Sequence, residues 1–301
     1  KAGYDKKFAT ALISCSGSLG ILIPPSILMI IFGVLANVSI GKLFAAGMLP
    51  GIMLTIFLMI YVHVISRKRN YPKSPALSLK ERINKIVKNG SALIVPVMIL
   101  GGIYGGVVTP TEAAVLAVFI GLAMGFFLYK ELKISHLPGI FLRSAEMASM
   151  ILLILAFAYS FAFLLSFFRV PDLLTQIMFD AGINAWMFLL LINIILFFAG
   201  DFMDPASIML IFTPLIVSLG SALGINLIHL GIVVVMNLEI GLITPPVGFN
   251  LYVGSSLSGL SLYDVMKAAV PIMIIIGIAL ILITYIPWIS LIVPKLIFGS
   301  V

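Results

Sequence analysis

Two stretches, Gly20-Ile-Leu-Ile-Pro-Pro-Ser26 and Gly241-Leu-Ile-Thr-Pro-Pro-Val-Gly248, each place two adjacent prolines in the middle of a long apolar run. A proline removes a backbone donor and clashes with the preceding helical turn, so each pair must interrupt its helix. The freed carbonyl groups survive at membrane depth only if they are buried in protein or line a cavity. The two stretches therefore predict a pair of broken helices around a transport site. The plainer alternative is two structural kinks.

The two breaks belong to an internal repeat. Residues 3–50 align without a gap with residues 224–271, at an offset of 221 positions. All six identities are glycine or proline, namely Gly3/Gly224, Gly20/Gly241, Pro24/Pro245, Pro25/Pro246, Gly33/Gly254 and Pro50/Pro271. Because these two residue types set backbone shape, the matches predict two copies of one structural unit.

The composition around the repeat is that of a membrane protein. Apolar residues make up 62% of the 301 residues and charged residues 10%, and the mean hydropathy is +1.24. A soluble protein of this size has too little interior to hide so much apolar surface. This excludes a soluble enzyme, a nucleic-acid-binding domain and a disordered chain. It predicts an integral membrane protein whose surroundings are the lipid bilayer, with no nucleic acid partner.

A helix needs about 20 apolar residues to cross the bilayer. The candidate spans are 8–35, 45–66, 89–108, 112–129, 147–168, 184–199, 205–222, 227–256 and 268–294. The runs show no period-2 alternation, so the predicted fold is an all-α integral membrane protein and not a β-barrel.

The distribution of basic residues predicts the topology. With residues 67–88 inside, the segments 1–7, 67–88, 130–146 and 257–267 are cytoplasmic and hold 15 of the 18 Lys and Arg residues, as the positive-inside rule requires. The runs 184–199 and 205–222 then form a re-entrant hairpin with its tip at residues 200–205. The loops at Gly3 and Gly224 fall on opposite sides, so the repeats are predicted to be inverted.

The predicted organisation has six parts along the chain. They are the end of the first repeat (1–66), a basic loop or interfacial helix (67–88), scaffold helices (89–168), an interfacial arm helix (169–183), the re-entrant hairpin (184–222), and the second broken helix with the last span (223–301).

Three acids lie deepest in apolar sequence, Asp201, Asp204 and Glu239. A charge at that depth is costly, so a partner or a cation is expected. Carboxylate, hydroxyl and carbonyl oxygens suit a small hard cation such as Na⁺, whereas too few carboxylates converge for calcium. The alternatives are that Asp204 only caps the helix beginning at Pro205, that Asp201 faces solvent, and that Glu239 is protonated or hydrogen-bonded to a neighbour.

Hydroxyl and amide side chains flank both breaks. Ser26 follows the first proline pair, and Thr244 and Asn250 are the corresponding groups of the second copy. Ser14 and Ser16 are expected to serve helix packing instead. The half-helices after each proline pair point positive ends toward the cavity, which favours an anionic substrate.

Other motifs predict structure and no catalysis. Thr109, Pro110 and Glu112 have the spacing of a helix-capping box. The single cysteine, Cys15, excludes an internal disulfide and a cysteine-based zinc site. His63, His136 and His229 are scattered and suggest no metal site, and no catalytic pair or phosphate loop stands out. We therefore expect no enzyme activity and no organic cofactor.

An ordered set of motifs resembles a known family. The set is Gly3-Tyr-Asp-Lys-Lys-Phe8, Ile23-Pro-Pro-Ser26, Phe44-Ala-Ala-Gly-Met-Leu-Pro-Gly51, Thr109-Pro-Thr-Glu-Ala-Ala114, Phe202-Met-Asp204 and Gly241-Leu-Ile-Thr-Pro-Pro-Val-Gly248. It resembles the large membrane subunit of the tripartite ATP-independent periplasmic (TRAP) transporters, the DctM-like family. The resemblance covers the whole chain, and it implies a part before Lys1 that holds the first scaffold helices and most of a first hairpin.

The resemblance implies a Na⁺-driven elevator-type importer of organic anions in the bacterial inner membrane. It implies a small membrane subunit (DctQ-like) and a periplasmic substrate-binding protein (DctP-like), with a C4-dicarboxylate, sialic acid or another sugar acid as substrate. Asp201 is not part of the family pattern and ranks below Asp204.

The implied sites carry over to residues of both breaks. Na⁺ site 1 comprises Gly20, Ile23, Pro24, Pro25 and Ser26, and Na⁺ site 2 comprises Gly200, Asp204, Gly241, Thr244, Pro245 and Gly248. The substrate-binding residues are Ser26, Thr244, Pro246 and Asn250.

Three alternatives remain open from sequence. One is a self-sufficient Na⁺/dicarboxylate or citrate symporter of similar fold, which needs no binding protein. A channel would need a continuous polar pore, whereas the polar residues cluster at two breaks. An intramembrane enzyme would need a catalytic pair on facing helices, and Asp201 and Asp204 lie together on one hairpin tip.

Overall fold

The computed structural model describes residues 3–17, 19–72 and 78–299, and every regular element in these ranges is a helix. The α-helices are α1 (Lys6–Gly17), α2 (Leu19–Leu22), α3 (Ile27–Leu35), α4 (Ile40–Lys68), α5 (Leu79–Asn89), α6 (Ile94–Tyr104), α7 (Pro110–Ala123), α8 (Leu137–Phe167), α9 (Val170–Asp180), α10 (Ala185–Gly200), α11 (Pro205–Ala222), α12 (Leu227–Gly241), α13 (Phe249–Ser258), α14 (Leu262–Tyr285) and α15 (Trp288–Phe298).

Six helical segments are long and apolar enough to cross a membrane. They are Lys6–Leu35, Ile40–Lys68, Pro110–Leu128, Ile134–Phe167, Pro205–Ala222 and Leu262–Tyr285. Shorter apolar helices accompany them, among them α10 and α12. The predicted all-α integral membrane fold is therefore confirmed.

The chain divides into two compact units, Lys1–Pro72 with Ala158–Val301, and Lys73–Phe157. In the first unit α12 is the central helix, since every residue from Ile228 to Gly241 is buried. Helices α10, α11 and α14 pack around α12, and α15 packs along α4.

The second unit contains α5, α6, α7 and the first part of α8. Helices α6 and α7 pack on each other. The predicted capping box begins α7, because the Thr109 side chain accepts from the Glu112 amide while the Glu112 carboxylate accepts from the Thr109 amide at 2.8 Å. A π-helical turn, Met124–Leu128, follows α7.

Three predicted spans differ from the helices observed. Helix α4 begins at Ile40, capped by Ser39, and runs through Pro50. Helix α8 begins at Leu137, ten residues before the predicted start at 147, because a helix continues through polar residues that a hydropathy threshold excludes. The span predicted over 268–294 is two helices, since Ile286, before Pro287, has φ −123° and ψ 80°, as the residue preceding a proline prefers.

The two broken helices run antiparallel to each other. Gly254 on α13 lies so close to α1 that a Cβ there would come within 3.3 Å of the Thr10 side chain. Gly231 on α12 lies close to α3, where a Cβ would meet the Phe32 ring at 2.7 Å. Residues before one break thus lie beside residues after the other. This is the arrangement of two inverted copies, and the 221-residue offset maps one contact onto the other within one residue.

Candidate functional site

The first break separates α2 from α3 at residues 23–25. Pro24–Pro25 is a cis peptide, and Ser26 in extended conformation caps α3 by accepting from the Met29 amide at 3.4 Å. Within the described ranges, the carbonyl oxygens of residues 23–25 accept no backbone hydrogen bond. These oxygens are the unpaired backbone acceptors that the proline pair was expected to create.

The first break packs against α4 through two glycines. A Cβ on Gly47 would come within 2.5 Å of the Leu22 carbonyl oxygen, and one on Gly51 within 2.7 Å of the Ile23 side chain. Any larger residue at Gly47 would displace backbone, so the Phe44–Gly51 motif serves close approach of α4 to the break.

The second break separates α12 from α13. The Thr244 hydroxyl donates to the Ile240 carbonyl at 2.7 Å, and the backbone N–H of Asn250 donates to the Leu242 carbonyl at 3.0 Å. Gly248 begins α13 in the left-handed region, at φ 53°, with no side-chain cap. In the part of the chain that the structure describes, the carbonyl oxygens of residues 243–247 accept no backbone hydrogen bond.

The tip of the α10–α11 hairpin rests directly on the second break. A Cβ on Gly241 would meet three backbone atoms of Gly200, its Cα at 2.7 Å and its C and O at 2.9 Å. Two backbones approach this closely only where both residues lack a side chain. The predicted partners Gly200 and Gly241 are therefore brought together.

The acids of the hairpin tip have different surroundings. Asp204 is exposed and caps α11, with one carboxylate oxygen accepting from the Ser207 amide at 3.0 Å and the other from the Ser207 hydroxyl. The capping role foreseen for Asp204 is thus observed. Asp201, by contrast, is only 5% exposed, and its Oδ1 has no hydrogen-bond partner among the described residues. The alternative that Asp201 faces solvent at the hairpin tip is therefore wrong.

The predicted polar residues of the two breaks are not hydrogen-bonded to each other in the described ranges. Ser26 is buried, Asn250 is half-buried, and neither is hydrogen-bonded to Thr244 in the described ranges. Glu239 is fully buried on α12. Ser14 is buried in contact with Gly254, which agrees with the packing role predicted for it.

A buried chain of polar side chains along α12 was missed from sequence. Asn237 on α12 donates to Asn193 on α10 at 2.7 Å, and Asn193 donates to the Thr284 hydroxyl at 3.0 Å. The His229 ring bonds to the Thr284 carbonyl at 3.2 Å and to the Ser290 hydroxyl at 2.7 Å. This polar chain connects the hairpin, α12, α14 and α15.

One sequence signal could have found the polar chain. Asn193 is the only polar side chain in the apolar helix Ala185–Gly200. A lone amide at membrane depth requires a partner on a neighbouring helix. His229, interpreted as a scattered histidine, becomes a network member only through the tertiary contacts of α14 and α15.

Comparisons with known proteins agree with this architecture. The family described as "Tripartite ATP-independent periplasmic transporter, DctM component" matches residues 1–289. The C4-dicarboxylate TRAP transporter large permease protein DctM of Pseudomonas aeruginosa is 41% identical over 295 residues, covering 98% of this chain and 69% of that protein.

Relatives with other names are similar over the same range. The sialic acid TRAP transporter large permease protein SiaM of Vibrio cholerae is 33% identical, covering 99% of this chain and 70% of that protein. The isethionate TRAP transporter permease protein DctMQ of Oleidesulfovibrio alaskensis is 35% identical, covering 95% of this chain and 45% of that protein.

Proposed function

The chain belongs to the DctM component family of tripartite ATP-independent periplasmic transporters, and we propose that it is the large transmembrane subunit of a Na⁺-driven secondary transporter. The transporter imports an organic anion across the bacterial inner membrane. It is a multi-pass permease. In the proposed mechanism Na⁺ drives import, a periplasmic binding protein delivers the substrate, and the permease moves in an elevator-type manner.

One observation carries the proposal, the backbone contact between Gly200 and Gly241. It places the hairpin tip against a break whose carbonyl oxygens at residues 243–247 accept no backbone hydrogen bond in the described ranges. Carbonyl oxygens freed by a broken transmembrane helix are typical ligands of a coupling Na⁺. A cation there satisfies the oxygens that the protein leaves unpaired.

The two Na⁺ sites follow the two breaks. Site 2 takes the backbone of Gly200, Gly241, Pro245 and Gly248 with the oxygens of Thr244 and Asp204. The carboxylate of Asp204 acts from the N-terminal end of α11, where it also holds Ser207. Site 1 takes the backbone of residues 20–25 with the hydroxyl of Ser26.

The substrate class follows from the half-helix ends. Helices α3 and α13 begin directly after the breaks, and their N-termini carry partial positive charge. An anionic carboxylate is favoured there, with Ser26, Thr244, Pro246 and Asn250 as its contacts. The names of relatives, C4-dicarboxylate and sialic acid among them, support an organic acid.

The proposed assembly has two partners. A small membrane subunit braces the large one, which the name DctMQ of one relative supports. A periplasmic binding protein delivers the anion. The large subunit itself has no enzymatic role in this scheme.

The test is reconstitution of full-length large and small subunits in liposomes with the cognate binding protein outside. Uptake of a labelled organic acid is measured against Na⁺ concentration for wild type, Asp204→Asn and Asp204→Ala. Asparagine caps a helix about as well as aspartate, so Asp204→Asn keeps α11 while removing the charge. We expect the Na⁺ concentration for half-maximal uptake to rise at least tenfold in both variants, because a charge-assisted oxygen ligand is lost.

The outcomes separate the alternatives. If Asp204→Asn behaves as wild type and only Asp204→Ala fails, Asp204 is a cap and not an ion ligand. Uptake without the binding protein would instead indicate the self-sufficient symporter. Uptake that is indifferent to Na⁺ would remove both ion sites.

A further inference from the structure

A cavity of about 360 Å³ lies at the start of α8. It is lined by Ser135, His136, Gly139, Ile140 and Arg143. His136 ends the short 3₁₀ turn that precedes α8. Gly139 and Ile140 lie four and three residues before Arg143 on α8, so these three residues share one side of the first two turns of the helix. None of them belongs to the repeat or to the proposed transport site.

The lining supplies donors for an anion. Arg143 has no ion pair or hydrogen bond with any residue in the described ranges. The Lys133 amide donates to His136 Nδ1 at 3.3 Å. An imidazole that accepts at Nδ1 carries its proton on Nε2, so the ring keeps an N–H donor for a ligand. The Ser135 hydroxyl is a third donor.

Gly139 contributes open space to the cavity lining. A Cβ built on Gly139 meets no heavy atom within 4 Å. The helix therefore tolerates a side chain there without strain, and the missing side chain leaves space that a ligand can fill.

The depth of the cavity matches the lipid headgroups. The apolar run of α8 begins at 147, four residues after Arg143, which is ~6 Å along a helix. The polar layer on each side of the hydrocarbon core is ~5–7 Å thick. Residues 130–146 are on the cytoplasmic side in the topology predicted from basic residues, where the leaflet carries anionic lipids.

The surroundings of the cavity are apolar and open. Ile140, Phe141 and Leu142 are 42%, 58% and 62% exposed. Acyl chains can cover such side chains, while the headgroup phosphate reaches the donors. From the donors, the hollow and its depth we propose that this cavity, the α8 headgroup site, binds the phosphate of an anionic phospholipid of the cytoplasmic leaflet.

The test uses the complex of full-length large and small subunits in detergent. Lipid adducts are titrated by native mass spectrometry with phosphatidylglycerol, with phosphatidylcholine of the same acyl chains, and with inorganic phosphate as competitor. The variants are Arg143→Gln, Gly139→Leu and, as a matched control, Lys130→Gln. The control makes the same charge change nearby but outside the cavity lining.

We expect wild type to prefer phosphatidylglycerol over phosphatidylcholine at least tenfold. Arg143→Gln should weaken phosphatidylglycerol binding about tenfold, the effect of one charged hydrogen bond. Gly139→Leu should abolish it by filling the hollow, with the thermal unfolding midpoint retained, and Lys130→Gln should leave it nearly unchanged.

Three results would overturn the proposal. Equal binding of the two lipids would remove the headgroup specificity. If Arg143→Gln and Lys130→Gln weaken phosphatidylglycerol binding equally, the binding depends on general surface charge and not on the cavity. Displacement of the lipid by millimolar inorganic phosphate would identify a soluble anion as the ligand.

Discussion

The two broken helices are built on the same proline pair, yet their second halves begin in different ways. In the first, the Ser26 side chain caps α3 and leaves the backbone extended. In the second, Gly248 begins α13 in the left-handed region with no side-chain cap. The same proline pair is therefore followed by two different kinds of helix start. A helix can begin with a side-chain cap or with a change of backbone conformation.

The breaks also differ in what packs on them. The first lies against α4 through Gly47 and Gly51, and the second lies against the hairpin tip through Gly200 and Gly241. The second broken helix further carries the buried polar chain that begins at Asn237. The equivalent position in the first copy is Ser16. Sequence symmetry therefore predicts the bend, whereas the neighbours decide how each bend is held.

The largest effect is expected from Gly241→Ala. The new Cβ would lie 2.7 Å from the Gly200 Cα, and backbone cannot move aside as a flexible side chain can. We expect a loss of stability of about 1–3 kcal/mol, the usual cost of overpacking, and loss of Na⁺-dependent uptake. Chemical unfolding measures the stability, and liposome assays measure the uptake.

Gly277→Ala on α14 is the matched control for this change. A Cβ on Gly277 meets nothing within 4 Å, so the variant should be as stable as wild type or slightly more stable. If Gly241→Ala and Gly277→Ala behave alike, the hairpin does not depend on the glycine contact.

The second prediction concerns the polar chain. Asn193→Leu leaves the buried Asn237 amide without the acceptor that it reaches at 2.7 Å. We expect a destabilisation of about 1–3 kcal/mol, the cost of an unsatisfied buried polar group. Unfolding by denaturant measures it.

The double variant Asn193→Leu/Asn237→Leu removes both partners and should recover part of that loss. The alternative is that the double variant loses as much stability as the two single variants together. In that case the two amides do not stabilise each other, and the polar side chains do not act as a network.

The two helix starts give the third prediction. Gly248→Ala places a Cβ on a residue at φ 53°, which costs about 1–2 kcal/mol in the left-handed region. Ser26→Ala removes a cap, at about 1 kcal/mol, whereas Ser26→Gly should cost only a few tenths. Thermal unfolding midpoints rank the three variants, and equal values for Ala and Gly at Ser26 would contradict a capping role.

The smallest effect is expected at the ion pair that joins the two copies. Lys7 on α1 bonds to Asp264 on α14 at 2.7 Å, with side chains 49% and 33% exposed. Because exposed ion pairs contribute little and are screened by salt, Asp264→Asn should not change the unfolding midpoint measurably at physiological ionic strength. A clear loss that persists in high salt would show that this contact holds the two copies together.

The fold could be predicted where a residue type acts locally. Each proline pair interrupts its helix whatever surrounds it, and Thr109 with Glu112 forms the expected capping box. Helix bounds were less predictable, because hydropathy marks the membrane-embedded part and α8 begins at Leu137, outside that part. The boundary between the two compact units after Phe157 lies inside the apolar helix α8, so no change in composition marks it.

The candidate site was predictable only in outline. The glycines, prolines and hydroxyls of both breaks could be named from spacing. The burial of Asp201 could not, because the two acids lie three positions apart on one tip and only their neighbours decide which carboxylate is enclosed. Ion coordination and substrate contact by these residues stay predictions.

The sequence alone determined the membrane location, the repeat and the two interruptions, because apolar length, residue identity and the missing proline donor act without reference to distant residues. Only the tertiary structure decided that Gly200 meets Gly241, that Ser14 meets Gly254, and that Asn193 reaches Asn237 and Thr284. Those contacts join residues that are far apart in the chain. They depend on how whole helices pack, since close approach and hydrogen bonding require a partner at a distance that no local pattern specifies.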